Sequence, residues 1–207
     1  RTYENYTAKT PEETLVAANG TTVVKVRYDR QEFQITYDLN AGDADAAFGS
    51  GVSDTASYRF GKSVPVLSAQ DVKRTGYGFT GWYTDAACEN EFDDVMPAEN
   101  TTVYAGWEAG TVGYTVKHYQ ENANDSGYTQ SDTENLTGTA DAQITPPVKT
   151  YENFTSPQTQ TVQILPDGAT LVEYYYTRNT FSLTWSLNGG TSDGSEYTQA
   201  GQVKHGA

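Results

Sequence analysis

A long internal repeat constrains the fold of this sequence more than any other feature. Residues 2–42 return as residues 150–190 without a gap, since Thr2 aligns with Thr150 at a shift of 148 residues. Fifteen of the 41 aligned pairs are identical, far more than unrelated segments share. The 207 residues therefore hold about 1.4 periods of a tandem array. We expect several small cores rather than one large core, because tandem units pack mainly against their neighbours.

Both copies carry the period-two pattern of β-strands that have one covered face. In residues 33–39 and 181–187, every odd position is apolar and every even position is polar. The pattern places these side chains in the core: Phe33, Ile35, Leu39, Phe181, Leu183 and Trp185.

The run before each of these strands alternates in the same way. Its apolar positions are Val24, Val26 and Tyr28 in the first copy and Val172, Tyr174 and Tyr176 in the second. Between them, Tyr175 stands where the first copy has Arg27. Since a position that accepts either residue faces water, the comparison predicts that Tyr175 is an exposed aromatic side chain, while Tyr174 and Tyr176 belong to the core.

The chain divides into two alternating kinds of unit. We predict the end of a truncated unit at 1–31, complete units at 32–109 and 112–179, and the start of another truncated unit at 180–207. Strands dominate, with a short helical turn near Ser68–Arg74. Asn19-Gly20 and Asp167-Gly168 predict β-hairpins, because Asn-Gly and Asp-Gly pairs favour the positive φ angles of tight turns.

Residues 77–107 carry a family resemblance. The segment YGFTGWYTD at 77–85, followed by TVYAGW at 102–107, resembles the Listeria–Bacteroides repeat, also called the internalin B-type repeat. The family also has an NGG triplet after a strand. The triplets NAG at 40–42 and NGG at 188–190, which follow the predicted strands 33–39 and 181–187, match this element, although Ala41 departs from it. The unit at 112–179, which opens with YTVKHYQ and closes with YYYTRN, resembles the MucBP-like modules of Gram-positive surface proteins.

These resemblances imply a mostly β chain, α+β at the level of each module, built from small β-grasp (ubiquitin-like) modules in an elongated tandem array. They also imply an extracellular location on a cell-wall-anchored protein of a Gram-positive bacterium. The partners implied are neighbouring repeats of the same chain and host mucin glycans or a host glycoprotein.

Composition excludes other classes of protein. The net charge of −14 argues against nucleic-acid binding, which needs a cationic surface. No apolar run approaches the roughly 20 residues that span a bilayer. A single cysteine, Cys88, excludes an intrachain disulfide, and the only histidines are His118 and His205. Because these residues form no catalytic constellation, we expect no enzymatic activity and no cofactor.

Two kinds of binding site remain open. Tyr175, with Tyr151 nearby, is the candidate for ligand binding. Oxygen ligands for calcium cluster in one loop at Asp38, Asn40, Asp43 and Asp45. Such Asn/Asp/Gly loops are far more often plain turns, so we assign no metal.

The remaining aromatic side chains are expected to fill the cores. Trp82 and Trp107 could stack on sugars, but each lies in a strand and supplies apolar area that so small a core requires. We therefore place these further side chains in the core: Phe79, Trp82, Trp107 and Val116.

Three functions remain. The first is a non-catalytic stalk or spacer in the repeat region of a bacterial adhesin, which also contacts host ligands. The second is a receptor module for mucin glycans or a host glycoprotein, and the third is an accessory module of a secreted hydrolase.

Overall fold

The computed structural model describes residues 1–42, 45–183 and 201–206. All regular secondary structure in these residues is β-strand. The chain forms two compact units, Arg1–Glu108 (unit 1) and Ala109–Ala207 (unit 2). Within the described ranges there is no helix long and apolar enough to cross a membrane.

Unit 1 consists of a short strand pair followed by a six-stranded sheet. Its strands are β1 (Tyr6–Ala8), β2 (Tyr28–Arg30), β3 (Glu32–Asp38), β4 (Ala46–Phe48), β5 (Thr55–Arg59), β6 (Val72–Arg74), β7 (Tyr77–Tyr83) and β8 (Thr101–Ala109). β1 pairs with β2, and the sheet has the order β4-β6-β7-β8-β3-β5. Its first long strand, β3, lies beside its last strand, β8, and runs parallel to it.

Unit 2 has a four-stranded sheet and two short strand pairs. Its strands are β9 (Thr111–Glu121), β10 (Tyr128–Thr139), β11 (Gln143–Ile144), β12 (Phe154–Thr155), β13 (Val162–Gln163), β14 (Leu171–Arg178), β15 (Thr180–Leu183) and β16 (Gly201–Lys204). The sheet has the order β10-β9-β14-β12, and β11 pairs with β13 and β15 with β16. As in unit 1, an early strand, β9, runs parallel to a late neighbour, β14.

Each unit has its own core. In unit 1, Ile35 and Trp82 are buried, and Phe33, Leu39, Phe79 and Trp107 are partly buried against them. In unit 2, the buried cluster consists of Val116, Val172, Tyr174 and Tyr176.

Two of the side chains expected in the core are exposed. Phe181 and Leu183, in β15, keep 49% and 42% of their surface accessible. β15 is a strand, as the sequence predicts, but all four of its residues are exposed, and among the described residues it pairs only with β16. Alternation identifies the face that can be covered, and burial also requires a layer that covers it. Trp185 lies outside the described residues.

The expected helical turn and the α+β class are corrected. The Ser68 N–H donates to Asp71 Oδ2 (2.7 Å) and the Asp71 N–H to Ser68 O (2.9 Å), which closes a turn. The chain then enters β6, whose Val72 is buried and pairs with Phe48 of β4. Because β6 pairs with β4, the turn does not continue into a helix.

The expected hairpin at Asp167-Gly168 is corrected in part. The turn exists, since the Gly168 N–H donates to Leu165 O (3.0 Å) and Gly168 has a φ of 76°. The flanking strands do not pair with each other, because β13 pairs with β11 while β14 pairs with β9 and β12. At Asn19-Gly20 a turn also forms, and no strand follows it before β2.

A set of contacts, here called the strand junction, lies where β2 leads into β3 and joins the β1–β2 pair to Phe60, which follows β5. The Gln31 N–H donates to Asn5 O and the Phe60 N–H donates to Gln31 O, both at 2.9 Å. Arg30 donates from Nη1 to Phe60 O (2.9 Å). The Tyr6 ring meets the Phe60 ring edge-on, with centroids 6.5 Å apart.

The same junction recurs 148 residues later, between β14 and β15. The Asn179 N–H donates to Asn153 O (2.8 Å) and the His205 N–H donates to Asn179 O (2.9 Å). Arg178, the counterpart of Arg30, donates from Nη1 to His205 O (2.7 Å). The Phe154 ring meets the His205 ring edge-on at 6.4 Å. The repeat is therefore one of tertiary contacts as well as of sequence.

Candidate ligand-binding surface

Three tyrosines meet on one face of the sheet of unit 2 and, with Glu173, form the group we call the tyrosine cluster. The rings of Tyr175 and Tyr119 stack with centroids 5.0 Å apart and planes inclined by 13°. Tyr128 meets Tyr175 edge-on at 5.1 Å. The three side chains come from three adjacent strands, β14, β9 and β10, and Tyr175 keeps 44% of its surface exposed.

Glu173 links two of the phenols. Its Oε1 accepts from the Tyr119 hydroxyl (2.9 Å) and its Oε2 accepts from the Tyr175 hydroxyl (3.1 Å). These hydrogen bonds to a carboxylate raise the pKa of both phenols above the ordinary tyrosine value, because ionisation would place two negative charges side by side. The Glu173 carboxylate therefore holds both hydroxyl groups in place through these hydrogen bonds.

The cluster offers aromatic surface beside polar atoms. An aromatic ring can pack against an apolar C–H surface, while tyrosine hydroxyls and a carboxylate hydrogen-bond to neighbouring polar groups. Sequence comparison identified Tyr175 and missed its two partners. Tyr119 occupies a polar position of the alternating YTVKHYQ segment, and this position is the sequence feature that could have predicted its exposure. Its contact with Tyr175 depends on the parallel register of β9 and β14, which pairs the two residues.

Tyr151 does not lie near Tyr175, contrary to the expectation. It packs edge-on against the buried Tyr176, with centroids 4.7 Å apart, and also approaches His118. Since successive residues of a strand point to opposite faces, the neighbours of Tyr176 and Tyr175 are on opposite sides of the sheet. Tyr151 therefore belongs to the core side of unit 2.

A chain of polar groups crosses that core side. His118 is fully buried, with Nε2 2.9 Å from Glu134 Oε2 and Nδ1 2.9 Å from the Tyr176 hydroxyl. A carboxylate can only accept, so we assign the Nε2 proton to this bond; the Tyr176 hydroxyl, which accepts the Lys149 N–H, can then donate to Nδ1. The hydrogen bond from His118 lowers the pKa of Glu134, and burial raises the pKa of Tyr176.

The order carboxylate, imidazole and hydroxyl resembles a catalytic arrangement, but its central groups are inaccessible. His118 and Tyr176 both have no exposed surface. Lys149 covers the outer end, where it pairs with Asp132 and Glu134. This row of hydrogen-bonded side chains therefore satisfies buried polar atoms and holds β9, β10 and β14 together.

The loop considered for calcium is built as a turn in its described part. Asp38 Oδ1 accepts from the Asn40 N–H (2.7 Å). The Asn40 side chain acts as a donor, from Nδ2 to Ala86 O (2.9 Å) and Ala105 O (3.3 Å). Asp45 is exposed, and Asp43 lies outside the described residues. Across the described ranges, no group of three or more His, Cys, Asp or Glu side chains is placed to hold a metal ion.

Both tryptophans of unit 1 hydrogen-bond to backbone carbonyl groups. The Trp82 Nε1–H donates to Leu67 O and the Trp107 Nε1–H donates to Leu39 O, both at 2.7 Å. Trp82 is 5% exposed and Trp107 is partly buried against the core of unit 1, so both rings contribute to that core.

Comparison with known protein families gives a match for one segment of the chain. The sequence model of the Listeria-Bacteroides repeat domain family matches residues 33–106, from β3 to β8. The match covers most of the six-stranded sheet of unit 1, and repeats of this family are typical of extracellular or surface proteins. The match does not extend into unit 2. No curated protein matches the chain.

Proposed function

We propose that this chain is a non-catalytic repeat region of a bacterial cell-surface adhesin and acts as a stalk or spacer. The observation that carries the proposal is the parallel pairing of β3 with β8 in unit 1 and of β9 with β14 in unit 2. Parallel neighbours start at one end of a sheet and finish at the other. The polypeptide thus enters each sheet at one end and leaves it at the opposite end, so each added module can add its own length.

The proposal also covers the type of module and its cellular location. An adjacent, parallel pair of early and late strands in both sheets fits β-grasp modules in tandem, with unit 2 as the MucBP-like member. We place the chain outside the cell, on the wall of a Gram-positive bacterium. Its net charge of −14 favours solubility through mutual repulsion.

The repeated strand junction supports a regular array. Arg30 and Arg178 make the same backbone contact at two places 148 residues apart. A hydrogen-bonded junction fixes the direction in which the chain continues, whereas a Gly/Ser-rich linker would leave it free. Repeated junctions of one geometry suit a spacer.

The test is the growth of molecular length with repeat number. Chains with one, two and three copies of residues 32–179 are compared by small-angle X-ray scattering. We expect the maximum dimension to rise in proportion to copy number. Compact packing would instead increase the radius of gyration by only about 30% when the chain length doubles.

A matched control distinguishes the effect of the strand junction on the maximum dimension from the effect of chain length. Inserting a ten-residue Gly/Ser segment after Asn179 in the two-copy chain should broaden the distance distribution while leaving each module folded. If the unmodified two-copy chain is no longer than a compact particle of its mass, the stalk proposal is wrong.

The tyrosine cluster favours a second candidate function, a receptor for mucin glycans or a host glycoprotein. A glycan array followed by titration calorimetry tests it. For a glycan that binds saturably, we expect Tyr175→Ala to weaken binding about tenfold or more, because the exposed stacking ring is lost. Thr177→Ala, on the same face of β14, is the control and should bind like the parent chain. Equal losses for both variants, or no saturable glycan, would rule out this surface as the receptor.

A further inference from the structure

One pair of tyrosines differs from every other tyrosine pair in ring contact among the described residues. The rings of Tyr119 and Tyr175 are stacked, with centroids 5.0 Å apart. The other pairs meet edge-on: Tyr3 with Tyr28, Tyr128 with Tyr175, and Tyr151 with Tyr176. Tyr175 is exposed and Tyr119 is partly exposed, so small reagents can reach both phenols from solvent.

The sheet of unit 2 holds these two rings side by side. Tyr175 lies directly opposite Tyr119 in the parallel register of β14 and β9, and neighbouring strands are about 4.8 Å apart. The two residues are 56 positions apart in the sequence, and four other strands lie between β9 and β14 along the chain. A covalent bond between the rings would therefore close a long loop without moving the backbone far.

Glu173 places a proton acceptor at both hydroxyl groups. Its Oε1 accepts from Tyr119 (2.9 Å) and its Oε2 accepts from Tyr175 (3.1 Å). A carboxylate within hydrogen-bond reach can take the proton of a phenol as the phenol loses an electron, which avoids a positively charged phenol radical. Tyr128 makes no hydrogen bond to a carboxylate in the part of the chain that the structure describes. Ring overlap and a shared proton acceptor thus coincide at Tyr119 and Tyr175.

We propose that Tyr119 and Tyr175 are a site of oxidative crosslinking, at which a haem peroxidase using hydrogen peroxide joins the two rings as dityrosine. Each phenol gives up one electron and its hydroxyl proton, and the proton passes through Glu173 to water. The two phenoxyl radicals form a bond between ring carbons next to the hydroxyl groups, and the hydrogens on those carbons move to the oxygens. Peroxide takes up the two electrons and two protons and becomes two molecules of water.

The crosslink would tie β9 to β14 covalently. A bond between residues distant in sequence stabilises a fold mainly by restricting the unfolded chain. Extracellular proteins commonly use disulfides for this purpose, whereas the single cysteine of this chain, Cys88, has no partner for an intrachain disulfide. Dityrosine would supply such a bond from another pair of side chains. The proposal depends on neither the stalk function nor the receptor function.

The test treats the full 207-residue chain, at low concentration, with a haem peroxidase and hydrogen peroxide. We expect dityrosine fluorescence in a monomeric chain. Digestion followed by mass spectrometry should give a crosslinked peptide pair that contains Tyr119 and Tyr175 and has lost two hydrogen atoms. Hydrogen exchange in β9 and β14 should be at least about tenfold slower in the crosslinked chain.

Matched variants separate this pair from its neighbours. Tyr119→Phe and Tyr175→Phe keep the rings but cannot form the bond, so each should reduce intrachain dityrosine to background. Tyr128→Phe changes the edge-on neighbour in the same cluster and should leave the yield unchanged. Glu173→Gln should slow crosslinking about tenfold or more, because the shared proton acceptor is lost.

Several results would overturn the proposal. One is a crosslink that maps to Tyr128 with Tyr175 or to Tyr3 with Tyr28. Another is a yield for Tyr119→Phe equal to that of the parent chain, or dityrosine found only between separate molecules. The absence of dityrosine from the folded chain, under conditions in which free tyrosine couples, would do the same. An unchanged rate for Glu173→Gln would show that this carboxylate does not take the phenolic protons.

Discussion

Trp82→Ala lowers the free energy of unfolding of unit 1 by about 3–5 kcal/mol, the usual cost of removing a large buried aromatic ring. Trp82 is 5% exposed and its ring lies 4.8 Å from Tyr37 and 5.4 Å from Phe79, measured between centroids. Its N–H is also the partner of Leu67 O, which the variant leaves unpaired. Urea denaturation followed by hydrogen exchange in residues 32–108 measures the loss.

Two comparisons qualify this result. Trp82→Phe should lose clearly less, because a ring still fills most of the space and only the hydrogen bond and part of the volume are gone. Exchange in residues 111–178 should not change, since those residues have a core of their own. A Trp82→Ala chain as stable as the parent would mean that the core of unit 1 is not where the structure places it.

Tyr174→Ala lowers the free energy of unfolding of unit 2 by a similar amount, about 3–5 kcal/mol. Tyr174 has no exposed surface, and its hydroxyl donates to Pro146 O (2.8 Å). Tyr174→Phe should cost about 1–2 kcal/mol, because it leaves that carbonyl without its partner while keeping the ring. Urea denaturation measures the free energy of unfolding, and hydrogen exchange in residues 111–178 assigns the loss to unit 2.

The neighbouring tyrosine provides the matched control. Tyr175→Ala removes the same side chain from the adjacent position of the same strand, but from the exposed face. We expect it to lower stability by only a small fraction of the Tyr174→Ala loss. Equal losses for the two variants would contradict the assignment of opposite faces.

The local alternation of the sequence correctly predicts β3 and the two faces of β14, but it fails before β2, where Val24 and Val26 lie in no strand and are exposed. The pattern F-Q-I-T-Y-D-L predicts β3, and the structure buries Ile35 and Tyr37 within it. The aligned copies separate Tyr174 from Tyr175 because core positions stay apolar when their neighbours change. These features depend on side chains only a few residues apart.

Features that depend on distant pairing could not be predicted. Asp71 Oδ2 accepts from the Ser68 N–H and Ser68 Oγ accepts from the Gln70 N–H, as at the start of many helices, yet the chain leaves the turn to pair with β4. Tyr119 and Tyr175 stack only because β9 and β14 are parallel neighbours in one register. Phe181 alternates like a core residue and is exposed for want of a covering layer among the described residues. In the first two cases a partner distant in sequence decides the outcome, and in the third the outcome depends on a covering layer that the local pattern does not specify.

The parallel arrangement of early and late strands also has a mechanical consequence. Tension applied where β9 begins and β14 ends acts along both strands in opposite directions, so it loads their mutual hydrogen bonds in shear. Bonds loaded in shear fail together, whereas bonds at the end of a hairpin open one after another. β9 and β14 are paired over six residues, and β3 and β8 over four. Under a rising force, the sheet of unit 1 should therefore rupture before that of unit 2.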